Sequence, residues 1–377
     1  ETLIIWLPSG FGQQDREGRI AADLVANGIT VWEPDLLEAH FLPPLESSLA
    51  KIDAEEVAQL IEQAHDRTGK HVYLLAAGRA GLLALRGARA WQEAHPRGRT
   101  LAGVVLLHPN LFLGPPAPGN DAVYDPIVTA THLPIFIIQP ALSPWRWRLA
   151  TTLAQLESGG SKVFAQVLPD VRDRFYFRAD ATAREEVAVS HLARYVRQAI
   201  DRLAQTVLPS ATSTPPAAHS KTATAVGKRG LNPYNADANP PALTLSGLDG
   251  EEYDLSQYRR RVVLVNFWAT WCPPCVRELP SMQRLKKKLS DKPFAILTVN
   301  ISEEEETIRA FIRDQVKVDL PILLDRDGAA MKRWKVYVFP TSFVLGPEGR
   351  IQYGAYGELT WDSETILRTI ESLLPES

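Results

Sequence analysis

The sequence predicts an α/β protein of two domains, the first built on a doubly wound parallel sheet and the second a separate, smaller α/β unit. Short runs that are apolar at successive positions alternate with amphipathic helical stretches, which is typical of parallel strands covered by helices on both faces. This pattern occurs twice, and a stretch rich in Pro, Ala, Ser and Thr separates the two occurrences. The chain has 377 residues, which is more than one hydrophobic core usually serves.

The first domain is expected over residues 1–207. Its strands are predicted at Thr2–Leu7, Thr30–Glu33, His71–Ala76, Gly103–Leu107, Ile135–Gln139 and Val163–Leu168. Its helices are predicted at Arg16–Asn27, Ala54–Thr68, Gly81–Ala94, Arg148–Ser158 and Glu185–Thr206. Because the strands are apolar on both faces, we expect helices on both sides of one parallel sheet.

Residues 208–240 are expected to form an extended linker. They contain almost no large aliphatic side chains, so they cannot bury enough surface to offset the entropy lost on ordering. A long loop within one domain is the alternative, but unstructured loops of this length are uncommon in compact folds.

The second domain is expected over residues 241–377. It is predicted to begin with a small hairpin formed by Leu243–Leu245 and Glu251–Leu255. The strands and helices that follow are predicted at Val262–Trp268, Pro273–Leu289, Phe294–Asn300, Glu303–Gln315, Ile322–Leu324, Thr341–Leu345, Ile351–Tyr356 and Ser363–Leu374. After the hairpin the order is therefore β-α-β-α-β-β-α, which indicates a second α/β unit.

Composition and charge exclude several classes of protein. Apolar residues make up 45% and charged residues 23% of the chain, which is globular composition. With 41 basic against 44 acidic residues, no broad basic field is available for nucleic acid or an anionic membrane. No apolar run approaches the roughly 20 residues that cross a bilayer, and no glycine-rich phosphate loop indicates a nucleotide cofactor. Because the chain enters an apolar strand directly after Glu1, we expect that a secretory signal or membrane anchor has been removed.

The two cysteines lie in the motif Trp271-Cys272-Pro273-Pro274-Cys275, where a predicted strand gives way to a helix. Unpaired N–H groups and the dipole at a helix N-terminus favour a thiolate, and the second cysteine follows one turn later. A zinc site would need more ligands than this pair, and a c-type haem attachment would need histidine where Val276 stands. An inert disulfide would tie together only one turn. The motif therefore favours a redox-active pair without a metal.

The segment Phe267–Pro280 resembles the active-site segment of periplasmic thioredoxin-like thiol–disulfide oxidoreductases of the TlpA/ResA type. The resemblance continues through Val299–Ser302, Leu320–Asp325 and Val338–Val344, and so covers essentially residues 241–377. It implies a thioredoxin-like fold, thiol–disulfide exchange with protein clients, and no cofactor besides the cysteine pair itself. It also implies a periplasmic or otherwise exported location.

The resemblance assigns roles to individual residues of the second domain. Cys272 matches the exposed nucleophile, Cys275 the buried resolving thiol and Pro340 the family's cis-proline. Glu278 matches a carboxylate near the second cysteine, and it is the expected proton acceptor because Asn266 stands where ordinary thioredoxins carry a buried Asp. The alternative is that Glu278 only favours the helix dipole. The residues implied to contact substrate are Trp271, Pro273, Pro274, Phe339 and Thr341.

The sequence indicates thiol–disulfide exchange more clearly than it indicates whether the protein reduces, oxidises or isomerises disulfides. The resemblance favours a disulfide reductase that receives electrons from a membrane thiol donor. A dithiol oxidase or isomerase is one alternative, because Pro-Pro between the cysteines does not fix a potential. A redox-switched binding protein or chaperone is another. The family's haem-maturation branch has Pro-Glu-Thr where this chain has Pro340-Thr341-Ser342, which weakens an assignment to cytochrome maturation.

The first domain is similar to α/β-hydrolases at the level of fold, over residues 2–206. The segment His71–Leu85 has the pattern of strand, sharp turn and helix that forms a nucleophile elbow, but Gly78 occupies the serine position. Ser143 lies about where the acid would stand, and Pro169–Phe175 contains no histidine. We therefore expect a hydrolase-like architecture without hydrolase chemistry, which would recruit or orient a protein client.

Two further sites in the first domain remain as alternatives. Ser9 could act as a nucleophile with His108 or His132 as its base, although the loop of Ser9 would normally help to form an oxyanion hole. The Trp145-Arg146-Trp147-Arg148 run would form either a docking surface or part of the core.

Arginines are also expected near the missing triad. Arg79, Arg172 and Arg174 could converge on a carboxylate or phosphate there. The alternative is that they form surface ion pairs with Asp170 and Asp173.

Two charged runs in the second domain are expected to need no partner. Lys286-Lys287-Lys288 is predicted to be the solvated face of a helix. The run Glu303–Glu306 is predicted to open another helix, where acidic residues suit the dipole.

Overall fold

The computed structural model describes residues 2–12, 15–96, 98–206 and 230–375. Of these residues, 2–113 and 124–206 form one compact unit, and 114–123 together with 230–375 form a second. The division differs from the predicted one in the segment 114–123, which the sequence assigned to the first domain. Its residues bond within the second unit: Asp121 pairs with Lys335 at 2.8 Å and the Asn120 amide donates to Asn235 at 3.3 Å.

The first unit contains six strands and eight α-helices among its described residues. The strands are β1 (Thr2–Trp6), β2 (Thr30–Trp32), β3 (His71–Ala77), β4 (Leu101–Leu107), β5 (Pro134–Leu142) and β6 (Lys162–Arg172). The helices are α1 (Asp15–Ala26), α2 (Leu36–Ala39), α3 (Ala54–Thr68), α4 (Ala80–Ala94), α5 (Ile127–Ala130), α6 (Leu149–Ser158), α7 (Ala183–Ser190) and α8 (Leu192–Ala204).

The six strands form one parallel sheet in the order β2-β1-β3-β4-β5-β6. Successive side chains of a strand point to opposite faces, and β1 shows the result. Leu3 and Ile5 join the core cluster that contains residues of α3 and α4, whereas Ile4 and Trp6 join the cluster that contains residues of α1 and α8. The predicted doubly wound parallel sheet is thereby confirmed.

Local signals in the sequence account for where helices of this unit begin and end. Asp53 caps α3 by accepting a hydrogen bond from the Glu55 amide at 3.1 Å, and Gly69 ends it with a φ of 66° that glycine adopts without strain. The predicted helix Glu185–Thr206 is instead two helices. They separate at His191, where the backbone angle ψ is −3°.

An ion pair at the end of β6 joins the sheet to α7. The Arg172 guanidinium donates to both carboxylate oxygens of Glu185, at 2.7 and 2.6 Å, and the Arg172 amide donates to the same carboxylate at 3.0 Å. Glu185 is 0% exposed, so its charge has no water to replace a lost partner. The pair therefore fixes the loop between β6 and α7.

Replacement of Arg172 by alanine is expected to destabilise the first unit by about 3 to 5 kcal/mol, because it leaves a buried carboxylate without its counter-charge. Calorimetric unfolding of the full chain should show the transition of the first unit at a lower temperature. The control is Arg184→Ala, which removes an exposed pair with Asp170 and should cost about 1 kcal/mol or less. Equal losses of stability in the two variants would show that the buried Arg172–Glu185 pair stabilises the unit no more than an exposed pair does.

The second unit contains eight strands and four α-helices among its described residues. The strands are β7 (Asn232–Pro233), β8 (Thr244–Ser246), β9 (Glu252–Asp254), β10 (Val262–Trp268), β11 (Phe294–Ile301), β12 (Ile322–Asp325), β13 (Thr341–Leu345) and β14 (Ile351–Tyr356). The helices are α9 (Pro273–Lys288), α10 (Glu305–Phe311), α11 (Ala329–Arg333) and α12 (Glu364–Glu371).

The main sheet of this unit has the order β12-β11-β10-β13-β14-β7, and β8 pairs with β9 in a separate hairpin. Strands β10, β11 and β12 are parallel, whereas β13 and β14 run antiparallel to their neighbours. Every residue of β10 is buried, which is why this segment is an unbroken apolar run apart from Asn266. A central β10 followed directly by the long helix α9 is the core of a thioredoxin-like fold.

The described part of the predicted linker belongs to the second unit. Asn232 and Pro233 form β7, which pairs with Gly354 and Tyr353 at the edge of the main sheet. Residues 208–229 lie outside the described residues. Across the described ranges, no helix is both long enough and apolar enough to span a membrane.

Candidate active site

The two cysteines form a disulfide at the point where β10 leads into α9. Cys272 is the N-cap of α9, and its sulfur accepts a hydrogen bond from the Cys275 amide at 3.3 Å. Pro273 and Pro274 occupy the first turn of the helix, where their missing N–H groups have no intrahelical acceptor to lose. The helix N-terminus is therefore arranged to stabilise negative charge on the Cys272 sulfur when the disulfide is reduced.

The two sulfur-bearing residues differ in exposure. Cys272 is 6% exposed and Cys275 is 0% exposed. An incoming sulfur atom can therefore reach Cys272 but not Cys275. The half-buried rings of Pro273 and Pro274 flank this opening.

A second loop lies against the cysteines. Strand β13 pairs antiparallel with β10, and its register places Thr341 opposite Phe267. The Phe339–Pro340 peptide bond that precedes β13 is cis, as the resemblance implies. The ring of Phe339 packs on Trp271, with centroids 5.7 Å apart. Both rings are half-buried, so they form an aromatic surface beside Cys272.

The side chain of Thr341, which the resemblance places among the substrate contacts, is buried within the cis-proline loop. Thr341 is 2% exposed, and its hydroxyl donates to the Val338 carbonyl at 2.7 Å. The Thr341 side chain therefore shapes the cis-proline loop and is not available to a substrate.

Glu278 lies one turn after Cys275 in α9 and is 1% exposed. One carboxylate oxygen accepts a hydrogen bond from the Asn266 amide at 2.8 Å. The other accepts from the Leu359 amide and from the Trp361 indole, both at 3.2 Å. The Asn266 amide also donates to the Ser342 hydroxyl at 2.9 Å, so a polar network links β10, α9 and β13.

Burial raises the pKa of Glu278 to about 8, and the nearby Glu358 carboxylate acts in the same direction. The three hydrogen bonds oppose this shift because they stabilise the charged form. A carboxyl group with this pKa exchanges protons close to neutral pH, which is the property required of a general base near a buried thiol.

Glu303 is a polar residue of this site that was not predicted from the sequence. The run Glu303–Glu306 was expected to open a helix and need no partner, but α10 begins at Glu305. The half-buried Glu303 carboxylate instead accepts hydrogen bonds from Thr270 and Asn300. The sequence contains no signal that distinguishes Glu303 from the three glutamates that follow it.

The first unit has no nucleophile where a hydrolase-like elbow would place one. Gly78 turns the chain after β3 with a φ of 55°, and an added Cβ there would lie 3.9 Å from the ring of His108. His108 contacts the Tyr176 hydroxyl at 3.2 Å, and burial together with Arg174 lowers its pKa to about 3. Because so low a pKa describes a neutral, weakly basic ring, His108 is a poor general base for Ser9.

The other two segments compared with the triad hold a hydroxyl and a carboxyl group. Ser143 lies near Asp173, the residue that follows β6 and Arg172. Burial raises the pKa of Asp173 to about 7, although Ser143 and two nearby arginines oppose the shift. Neither segment supplies a histidine.

The three arginines predicted to form an anion site have separate partners. Arg79 donates to the carbonyls of Phe112 and Leu113 at 2.9 and 3.1 Å. Arg172 is held by Glu185, and the guanidinium of Arg174 lies 4.7 Å from the centroid of the Phe11 ring. The predicted site that the three arginines would share for a carboxylate or phosphate is therefore wrong. Their guanidinium groups already contact backbone carbonyls, carboxylates and an aromatic ring.

The predicted alternative partners of these arginines also differ. Asp170 pairs with Arg184, and Asp173 lies near Ser143. Within the described ranges, no group of three or more His, Cys, Asp or Glu side chains is arranged to hold a metal ion.

An accessible cysteine at a helix N-terminus, a buried partner one turn later and a cis-proline loop beside them define a thioredoxin-like thiol–disulfide oxidoreductase. The family model for Redoxin proteins matches residues 235–370. The thiol-disulfide oxidoreductase ResA of Geobacillus kaustophilus is 34% identical over 155 residues, which are 41% of this chain and 82% of that protein. The chain belongs, through its second unit, to the ResA-like thiol–disulfide oxidoreductases.

Two further proteins are each similar to about a third of the chain. The thioredoxin-like protein YneN of Bacillus subtilis is 37% identical over 123 residues, which are 32% of this chain and 71% of that protein. Among solved structures, StoA from Bacillus subtilis is 26% identical, with a TM-score of 0.31 and coverage of 37% of this chain and 99% of that one.

Proposed function

We propose that the protein reduces disulfides of exported protein clients through Cys272 and Cys275. In the reduced protein, the Cys272 thiolate attacks one sulfur of a client disulfide, which forms a mixed disulfide and releases one client thiolate. Cys275 then loses its proton and attacks the Cys272 sulfur. The client leaves as a dithiol and the protein keeps the Cys272–Cys275 disulfide, so two electrons have passed to the client.

The difference in exposure between the cysteines carries this proposal. Cys272 is 6% exposed at the helix N-terminus, and Cys275 is 0% exposed behind it. The accessible sulfur is therefore the one whose thiolate the helix stabilises. The buried sulfur is placed to attack only a partner that is already bound to Cys272.

Glu278 is the proposed acceptor of the Cys275 proton. It lies one turn further along α9 in the same buried interior, and burial raises its pKa to about 8. A thiol of ordinary pKa about 8.5 is close enough to this value for the proton to move in either direction. The half-buried rings of Trp271 and Phe339, with Pro273 and Pro274, are the proposed contact surface for the client.

The reductase direction requires a reduction potential below that of the client disulfide. Equilibration of the full chain with glutathione mixtures, followed by quantification of the two thiols, measures this potential. We expect a value below about −200 mV, whereas a value near about −120 mV would assign the protein as a dithiol oxidase. Reduction of less than one disulfide per protein with excess reductant would favour a redox-switched binding protein. The proposed source of electrons is a membrane thiol donor.

The first unit is proposed to be a recruitment module of hydrolase-like architecture without hydrolase activity. Its six strands form one parallel sheet, but Gly78 offers no hydroxyl and His108 is a weakly basic, buried ring. A cavity of about 380 Å³ opens at the carboxyl ends of β1 and β2, where α/β sheets commonly bind ligands. Its lining includes Trp6, Ser9, Glu17, Leu37 and Leu42. A tethered module of this kind would raise the concentration of a client near the redox pair.

The recruitment role is tested on a full chain that carries Cys272→Ser and Cys275→Ser. Clients identified as mixed disulfides of the Cys275→Ser protein are expected to bind this redox-inactive chain with a measurable Kd in calorimetry. Substitution of the exposed cavity residue Phe41 by Asp should weaken that binding about tenfold or more, since it places a charge on an apolar part of the wall. Equal affinity with and without Phe41→Asp would contradict recruitment through this cavity.

A further inference from the structure

A turn at the end of β11 meets the loop that carries Cys272. Strands β10 and β11 are parallel, and their register places Trp268 beside Asn300. Because the carboxyl ends of parallel strands meet at one edge, the residues after Trp268 and those after Asn300 are neighbours. Glu303 follows Asn300 by one short turn.

The carboxylate of Glu303 contacts this loop at two points. The Thr270 amide donates to one carboxylate oxygen at 2.7 Å, and the Thr270 hydroxyl donates to the other. The Asn300 amide donates to the first of these oxygens at 2.7 Å. Glu303 therefore joins the end of β11 to the residue that stands two positions before Cys272.

The backbone of the turn is shaped for this contact. Ser302 has a φ of 52°, a left-handed conformation that costs free energy in a residue other than glycine. Its amide and hydroxyl donate to the Asp325 carbonyl at 3.1 and 3.2 Å, which holds the turn in place. The turn brings Glu303 towards Thr270, whereas α10 begins two residues later at Glu305.

We propose that Glu303 is a positioning residue for thiol–disulfide exchange. It fixes the loop from Ala269 to Cys272, so that Trp271 stays packed on Phe339 and Cys272 stays at the N-terminus of α9. This inference rests on the proposed function of the cysteine pair. Glu303 does not touch the sulfur atoms in this role and transfers no proton to them.

The hydrogen-bond pattern identifies the variant that should preserve the role. A glutamine at position 303 can keep its carbonyl oxygen towards the Thr270 and Asn300 amides and donate from its own amide to the Thr270 hydroxyl. An alanine can make none of these contacts. A comparison of the two variants therefore separates hydrogen-bond positioning from the charge of Glu303.

The test measures kcat/KM for insulin reduction by the full chain, with dithiothreitol as the reductant. Glu303→Ala is expected to lower kcat/KM about tenfold, because small displacements of a reacting group have large effects on rate. Glu303→Gln should stay within about twofold of the unmodified protein and keep its pH profile. Glu304→Ala is the matched control, since Glu304 is exposed and its side chain makes no capping bond to α10.

Two results would overturn the inference. One is an unchanged kcat/KM in folded Glu303→Ala, and the other is a loss in Glu303→Gln equal to that in Glu303→Ala. If Glu303→Ala does not fold, Thr270→Val takes its place, because it removes only the hydroxyl contact. A loss of about threefold is then expected, and wild-type kinetics would overturn the proposal.

The function proposed for the cysteine pair is tested separately by the Cys272→Ser variant. An inactive Cys272→Ser protein beside a fully active Glu303→Ala protein would refute only the positioning role. An active Cys272→Ser protein would refute the function proposed for the cysteine pair itself.

Discussion

Replacement of Cys272 by serine is expected to reduce insulin reduction to the uncatalysed rate. A hydroxyl at the N-cap of α9 is not ionised near neutral pH, so the nucleophile that begins exchange is lost. Cys275→Ser should also abolish turnover, but by a different route. Its Cys272 still attacks a client disulfide, and the mixed disulfide accumulates because no second thiol displaces the client.

Non-reducing electrophoresis with mass spectrometry separates these two outcomes. Trapped clients should appear on the Cys275→Ser protein and be absent from the Cys272→Ser protein. Both proteins should unfold at similar temperatures when compared with the reduced parent chain. Stable mixed disulfides on the Cys272→Ser protein would show that the buried Cys275 is the attacking residue, contrary to its 0% exposure.

Replacement of Glu278 by glutamine is expected to slow insulin reduction about a hundredfold, which is within the usual contribution of a general base. A base acts in its deprotonated form, so the rate of the parent protein should rise as pH increases through the pKa of about 8. Glutamine does not titrate, and this limb of the pH–rate profile should disappear. An unchanged profile in Glu278→Gln would remove Glu278 from the mechanism.

The same substitution has an opposite expected effect on stability. The folded-state pKa of Glu278 is about 8 against an ordinary value of 4.5, so the folded protein holds a proton that the unfolded chain releases between these values. The free energy of unfolding should therefore fall as pH rises from about 4.5 to 8. Glu278→Gln should lack this fall and be the more stable protein at pH 9.

Chemical denaturation of both proteins in the oxidised state at pH 5 and pH 9 measures this difference. Glu304→Gln is a control, because Glu304 is exposed and lies outside the Glu278 network. A parent protein that is equally stable at the two pH values would contradict the raised pKa of Glu278.

Much of the redox site could be predicted because its chemistry is local in sequence. The roles of Cys272, Cys275 and Glu278 were implied by the family resemblance. Their spacing within one stretch of helix is what makes them neighbours. The buried strand β10 is an apolar run whose bounds in the structure are those predicted, Val262–Trp268. Patterns of this kind depend on the period of a single element and need no knowledge of the rest of the fold.

The contacts that the sequence did not reveal join residues that are distant along the chain. Glu303 bonds to Thr270, and its position depends on the left-handed turn at Ser302, for which serine gives no sequence signal. Arg172 was placed in an anion site because the sequence does not show that Glu185 folds back onto it. In each case the partner of a charged group is set by tertiary structure rather than by periodicity.

The strand β7 has a consequence for how the protein behaves at high concentration. It is two residues long, and one of them is Pro233, which has no amide hydrogen to offer a further strand. On its inner side it covers the backbone of β14 at Gly354. This edge of the main sheet is therefore poorly suited to pair with a strand of another molecule, which opposes aggregation through this edge.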